Sequence, residues 1–149
     1  MTISLANADE TAALGASLAA SMRVGDVVAL FGDLGAGKTT FARGVLRGLG
    51  FGGDVASPSF PIVVPYDPPD LRLPLWHVDL YRIEDPAEIG ELALDEMRSD
   101  VALVIEWPER LGDGLWRDSL RLRLERDAAG GRALTAEVPA AWGERWPPR

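Results

Sequence analysis

A three-layer α/β fold, with helices on both sides of a mixed central sheet and an antiparallel hairpin near the C-terminus, is predicted by three features of this 149-residue chain. Asp26 to Phe31 (DVVALF) and Val101 to Glu106 (VALVIE) are short, almost wholly apolar and rich in valine, as suits strands covered on both faces. Asn7 to Met22 and Phe41 to Leu49 carry apolar residues at helical spacing. Leu120, Leu122 and Leu124 alternate with Arg121, Arg123 and Glu125, and a Gly130-Gly131 turn leads into Ala133 to Val138, the pattern of a hairpin with one face in the core.

In chain order, Leu14, Leu18 and Met22 recur every four residues, and Asn7 or Asp9 is placed to cap the helix they define. Gly25-Asp26 ends that segment before the first apolar strand. In the next helix Phe41, Val45 and Leu49 form a stripe that Gly50 terminates. Gly44 and Gly48 each cost this helix roughly 1 kcal/mol relative to alanine, which implies close packing against a neighbour. Seven glycines and prolines then punctuate the stretch from Gly52 to Pro69, and Pro65 restricts any strand around Ile62 to Tyr66 to a sheet edge.

Leu75 to Tyr81 (LWHVDLY) alternates, with Trp76, Val78 and Leu80 on one face and His77, Asp79 and Tyr81 on the other, which puts Asp79 mid-strand on a polar face. Asp85-Pro86-Ala87-Glu88 reads as an N-cap, a first-turn proline and a capping-box glutamate opening a helix to about Arg98. The size fits one domain over residues 1–149, with a tail from Pro139 expected to be partly loose.

Composition removes several chemistries. The chain has no cysteine, hence no disulfide, thiolate nucleophile or Cys-ligated zinc, and its only histidine, His77, cannot build a multi-histidine metal site. A net charge of −8 argues against direct high-affinity binding of nucleic acid, which rests on clustered Lys and Arg. The N-terminus has no signal-like run and no apolar stretch is long enough to span a bilayer, so a cytoplasmic location is expected.

The most specific segment is Gly32-Asp33-Leu34-Gly35-Ala36-Gly37-Lys38-Thr39, a complete G-x-x-x-x-G-K-[ST] motif between a predicted strand and a predicted helix. Its glycines let successive backbone N-H groups curl toward phosphate oxygens above a helix N-terminus. Lys38 would reach the β- and γ-phosphates and the Thr39 hydroxyl would take a position on Mg²⁺. The alternative, a glycine-rich turn, does not need all of these positions.

Glu106, closing an apolar strand, fits the acid that holds the metal or orients the attacking water, although a solvent-facing acid is also compatible with the pattern. Asp79 needs a partner, either a metal-bound water or Arg82. His77 reads as a satisfied structural histidine. Ser57 and Ser59 flank Pro58 in a loop that either lends a hydroxyl to the γ-phosphate or is an ordinary turn.

Four blocks together resemble one family, the bacterial ATPase of tRNA threonylcarbamoyladenosine biosynthesis, TsaE. They are GDLGAGKTTFARG at Gly32 to Gly44, SPSF at Ser57 to Phe60 followed by Tyr66, HVDLYRI at His77 to Ile83, and IEWPER at Ile105 to Arg110. The resemblance implies a P-loop NTPase fold that binds ATP and Mg²⁺ and hydrolyses ATP weakly unless stimulated by partners. It assigns nucleotide contacts to Gly32 through Thr40, Ser59 and Trp107, Mg²⁺ to Thr39 and Glu106, and catalysis to Lys38, Asp79 and Glu106. Ser59 stands where the family usually has threonine, and the hydroxyl is retained.

The implied partners are the two subunits of the bacterial threonylcarbamoyl-transferase complex, with tRNA engaged through them. The competing activities are a small-molecule kinase, disfavoured because no Arg-rich lid segment is evident, and a nucleotide-sensing module without significant turnover.

Overall fold

A computed structural model describes residues 2–55 and 62–148. Seven strands form one sheet in the spatial order β1-β7-β6-β2-β5-β4-β3, where β1 is Thr2–Leu5, β2 Val27–Phe31, β3 Val63–Tyr66, β4 Leu75–Asp79, β5 Ala102–Glu106, β6 Leu120–Arg126 and β7 Arg132–Glu137. Strands β6, β2, β5 and β4 run parallel, while β1, β7 and β3 pair antiparallel at the two sides, so the sheet is mixed as expected.

Alternation along the buried strands divides the interior in two. Val28, Leu30, Ala102, Val104 and the leucines of β6 pack against α1 (Ala8–Ala19) and α2 (Lys38–Gly48). On the other side Val27, Leu103, Ile105 and Val78 meet the short helices α3 (Pro86–Gly90) and α4 (Leu94–Met97) through Ile89 and Leu94. These helical coverings on both faces give the three layers.

The local signals read from the sequence hold at several joints. Asn7 caps α1 by accepting from the Glu10 amide at 2.9 Å. Gly44 and Gly48 press on α1: a Cβ added at Gly48 would lie 2.5 Å from the Ala16 carbonyl oxygen and 2.7 Å from its Cα. Pro65 lies in β3, which forms a sheet edge, and Asp85 caps α3 through the Ala87 amide.

Four expectations change. The helix expected from Pro86 to Arg98 is two, because Ala93 takes a left-handed conformation (φ 54°) between α3 and α4. Strand β4 ends at Asp79, whose carboxylate accepts from the Tyr81 amide at 2.9 Å and turns the chain, so Asp79 closes the strand and Tyr81 lies beyond it. Strand β1, unnoticed in the sequence, pairs with β7 from Thr2 to Leu5. The tail is anchored rather than loose: Trp142 and Trp146 are buried, and Arg145 pairs with Asp26 at 2.7 Å while stacking 4.1 Å over the Trp142 ring.

Candidate functional site

The parallel strands β2, β4 and β5 finish at the same edge of the sheet, the edge where ligands collect in α/β folds. From the end of β2 the chain passes through Gly32 to Gly37 into α2. Gly32, Gly35 and Gly37 adopt φ of 145°, 75° and 107°, values that favour glycine, and they let the loop wrap over the N-terminus of α2. Four orphan amides and the positive end of the helix dipole face this loop.

Lys38 is buried at the start of α2. Its Nζ donates to the Gly32 carbonyl at 2.5 Å and sits 3.6 Å over the Trp107 ring. Burial lowers the ammonium pKa from its ordinary value of 10.5, opposed by the charges of Glu106, Glu109, Asp79 and Asp33. Trp107 holds a left-handed conformation (φ 58°) just past β5, which swings its ring back over the lysine and against Tyr81.

Next along α2, the Thr39 hydroxyl donates to both carboxylate oxygens of Glu106, at 3.0 and 3.2 Å. Glu106 is 3% exposed, so the solvent-facing alternative does not apply. In register beside it, Asp79 is its parallel-strand partner. Burial lifts the Asp79 carboxyl above its ordinary 3.8; the Tyr81 amide and Lys38 oppose the rise and the Glu106 charge adds to it. Thr40, Lys38, Thr39, Asp79, Glu106 and Trp107 line one cavity of about 420 Å³. Asp33, Leu34 and Trp107 border a second, of about 490 Å³, on the other flank of the loop.

The sequence-derived set therefore converges, apart from Ser57 and Ser59, which lie outside the described residues. Two features were missed. His77, expected to be satisfied, is bonded among the described residues on one nitrogen only: Nε2 lies 2.7 Å from Glu106 Oε2, while buried Nδ1 has no partner there. The hairpin, read from the sequence only as having one face in the core, also holds the loop. Arg132 donates from Nε to the Ala36 carbonyl at 2.9 Å and from Nη2 to that of Gly35 at 3.0 Å, and Arg126 reaches Gly35 at 3.4 Å. A basic residue on each side of the Gly130-Gly131 turn was the available signal, but nothing in the sequence aimed it at a loop some ninety positions earlier.

A family model described as "Threonylcarbamoyl adenosine biosynthesis protein TsaE" matches residues 5–134. The chain belongs to the TsaE family. Relatives described as TsaE, a tRNA threonylcarbamoyladenosine biosynthesis protein, include one from Streptomyces coelicolor, 43% identical, covering 89% of this chain and 91% of the relative. Another, from Bacillus subtilis, is 40% identical over 87% of this chain and 80% of its own length. The fold matches the crystal structure of Bacillus subtilis YdiB with a TM-score of 0.80 at 31% identity, covering 97% of this chain and 90% of that one. The four sequence blocks, from Gly32 to Arg110, lie within the residues that the family model matches. Among the described residues no helix is long and apolar enough to cross a membrane.

Proposed function

We propose that this chain is a Mg²⁺-dependent ATPase of tRNA threonylcarbamoyladenosine synthesis, whose hydrolysis drives or resets the complex that transfers the threonylcarbamoyl group to the adenosine 3′ of the anticodon. The observation that carries the proposal is the Thr39 hydroxyl on the Glu106 carboxylate at the N-terminus of the helix that also bears Lys38. These are hard oxygen donors of the kind Mg²⁺ selects. Among the described residues no three Asp, Glu, His or Cys side chains converge into a metal cage. That fits an ion which takes one or two protein ligands and completes its shell with phosphate oxygens and water.

Each side chain then has a role. The amides of the loop and of the first turn of α2 bind phosphate oxygens, and Lys38 leaves the Gly32 carbonyl to reach the terminal phosphates. When bound, Mg²⁺ would neutralise charge on the phosphate oxygens. Asp79 orients the attacking water and accepts its proton, a task that a raised carboxyl pKa favours. Trp107 covers the lysine and limits water access from that side. The two subunits of the transferase complex are the partners, and they handle the tRNA, consistent with the charge of −8 on this chain.

Calorimetric titration with ATP in the presence and absence of Mg²⁺, followed by phosphate release with and without the two partner subunits, tests the reading. Magnesium-dependent binding and partner-stimulated hydrolysis are expected in the unmutated chain, with loss of binding in Lys38→Ala and of turnover in Glu106→Gln. Undiminished hydrolysis in both variants would overturn it.

A further inference from the structure

We infer that His77 is a positioning residue for Glu106, fixing the orientation in which its carboxylate meets Thr39 and a divalent cation. The inference rests on the magnesium reading above and adds a residue to it.

His77 lies on β4, two residues before Asp79 and paired across the sheet with Val104, which itself stands two residues before Glu106. Side chains two apart on a strand share a face. The imidazole therefore sits one step deeper in the sheet than the Asp79–Glu106 row and reaches up to it. It is fully buried, and its Nε2 approaches Glu106 Oε2 to 2.7 Å, the short end of charge-assisted hydrogen bonds. A carboxylate only accepts, so Nε2 carries the hydrogen, while buried Nδ1 has no partner among the described residues.

An imidazole kept for packing alone would leave this buried nitrogen unsatisfied to no purpose, since an apolar side chain fills the same space without the loss. The contact on the other nitrogen supplies the purpose. Thr39 bonds both oxygens of Glu106 nearly equally, at 3.0 and 3.2 Å, so it does not distinguish one roll of the carboxylate about its terminal torsion from another. His77 touches Oε2 alone, and that removes the ambiguity. Partners that orient a metal-binding carboxylate typically contribute about 10–100-fold to metal affinity or activity.

The test measures binding of a non-hydrolysable ATP analogue by calorimetry, with and without Mg²⁺, in the unmutated chain, His77→Leu and His77→Gln, alongside thermal unfolding. The Gln side chain places an amide donor near the Nε2 position. Metal-free affinity should stay within about twofold in both variants, while the Mg²⁺ concentration giving half the affinity gain rises about 10–100-fold in His77→Leu and is largely restored in His77→Gln. An unchanged Mg²⁺ response in His77→Leu, or an equal loss of metal-free and Mg²⁺-dependent affinity, would overturn the inference. If His77→Leu does not fold, His77→Asn decides: its amide keeps the polarity but not the reach, so a normal Mg²⁺ response there counts against positioning and a weakened one supports it. Absence of any Mg²⁺ effect in the unmutated chain would instead sink the magnesium reading itself.

Discussion

Replacing Gly44 by alanine sets two effects of opposite sign against each other. Alanine in a helix interior gains about 1 kcal/mol over glycine. At Gly44 the new Cβ would lie 2.7 Å from the Ala12 carbonyl carbon and 2.8 Å from its Cα, with the carbonyl oxygen nearer still. All three neighbours are backbone, so no rotamer change relieves them and α1 must move off α2. Overpacking of this kind costs about 1–3 kcal/mol, and a rigid neighbour puts the cost at the upper end. The net is a loss of about 2 kcal/mol, which in a chain of this size lowers the melting temperature by roughly 4–8 °C. Gly90, at the end of α3, has no atom of the described residues within 4 Å of the place its Cβ would take and no left-handed φ, so alanine there should be neutral or stabilising by up to about 1 kcal/mol. Thermal unfolding of the two variants beside the unmutated protein checks the pair. A Gly44→Ala protein as stable as the unmutated one would mean that helix propensity outweighs the backbone contact and that α1 and α2 are not packed as tightly as these distances indicate.

Three further outcomes are expected. A carboxyl whose folded pKa lies above its unfolded value contributes stability that is full below about pH 3.8 and is lost as pH rises through the folded pKa. Asp79→Asn, which can still accept from the Tyr81 amide, should therefore melt higher than the unmutated chain at pH 7 and lose that advantage below pH 4, while turnover falls at least about 100-fold; melting curves across pH check the sign. Arg132→Lys cannot reproduce the forked contact with the Gly35 and Ala36 carbonyls and should weaken nucleotide binding about tenfold, roughly 1.4 kcal/mol, by calorimetry. Trp142→Ala should cost about 3–5 kcal/mol in urea unfolding, since the ring is 1% exposed and stacked under Arg145; a loss below about 1 kcal/mol would restore the picture of a loose tail.

What the sequence disclosed was local. The loop from Gly32 to Gly37 and the strand and helix around it are contiguous, so motif, apolar run and helical stripe could be read together. Pro65 marked an edge because a missing donor is a property of one residue. The failures depend on partners far along the chain. Four residues of β1, only one of them buried, gain strand structure from pairing with β7 more than a hundred residues away. Ala93 is left-handed with no glycine or asparagine to announce it. The tail was expected to be loose, while its two tryptophans, which decide the matter, needed a surface that only the folded core provides. Strand register was likewise invisible, and with it the meeting of His77 and Glu106 across 29 positions.

Register also separates the two carboxylates that the sequence left sharing one role. Asp79 and Glu106 are neighbours across parallel strands, and two negative charges so close favour different duties. Glu106 is held by Thr39 and His77 from the side of α2 and β4, with contacts on both carboxylate oxygens and almost no exposure. Asp79 is only half-buried and its side chain accepts from the Tyr81 amide at the strand end, where the chain already turns. A group fixed on both oxygens is suited to presenting a constant donor geometry, and one with a raised pKa and a looser tether is suited to taking a proton. Burial alone accounts for the direction of the opposed perturbations of Lys38 and Asp79. Burial destabilises the charged forms of both Lys38 and Asp79, so each is held in the folded protein at a cost that ligand contacts can offset. A site built this way is less stable than its sequence would otherwise allow, and substitutions that neutralise it should raise stability as they remove function.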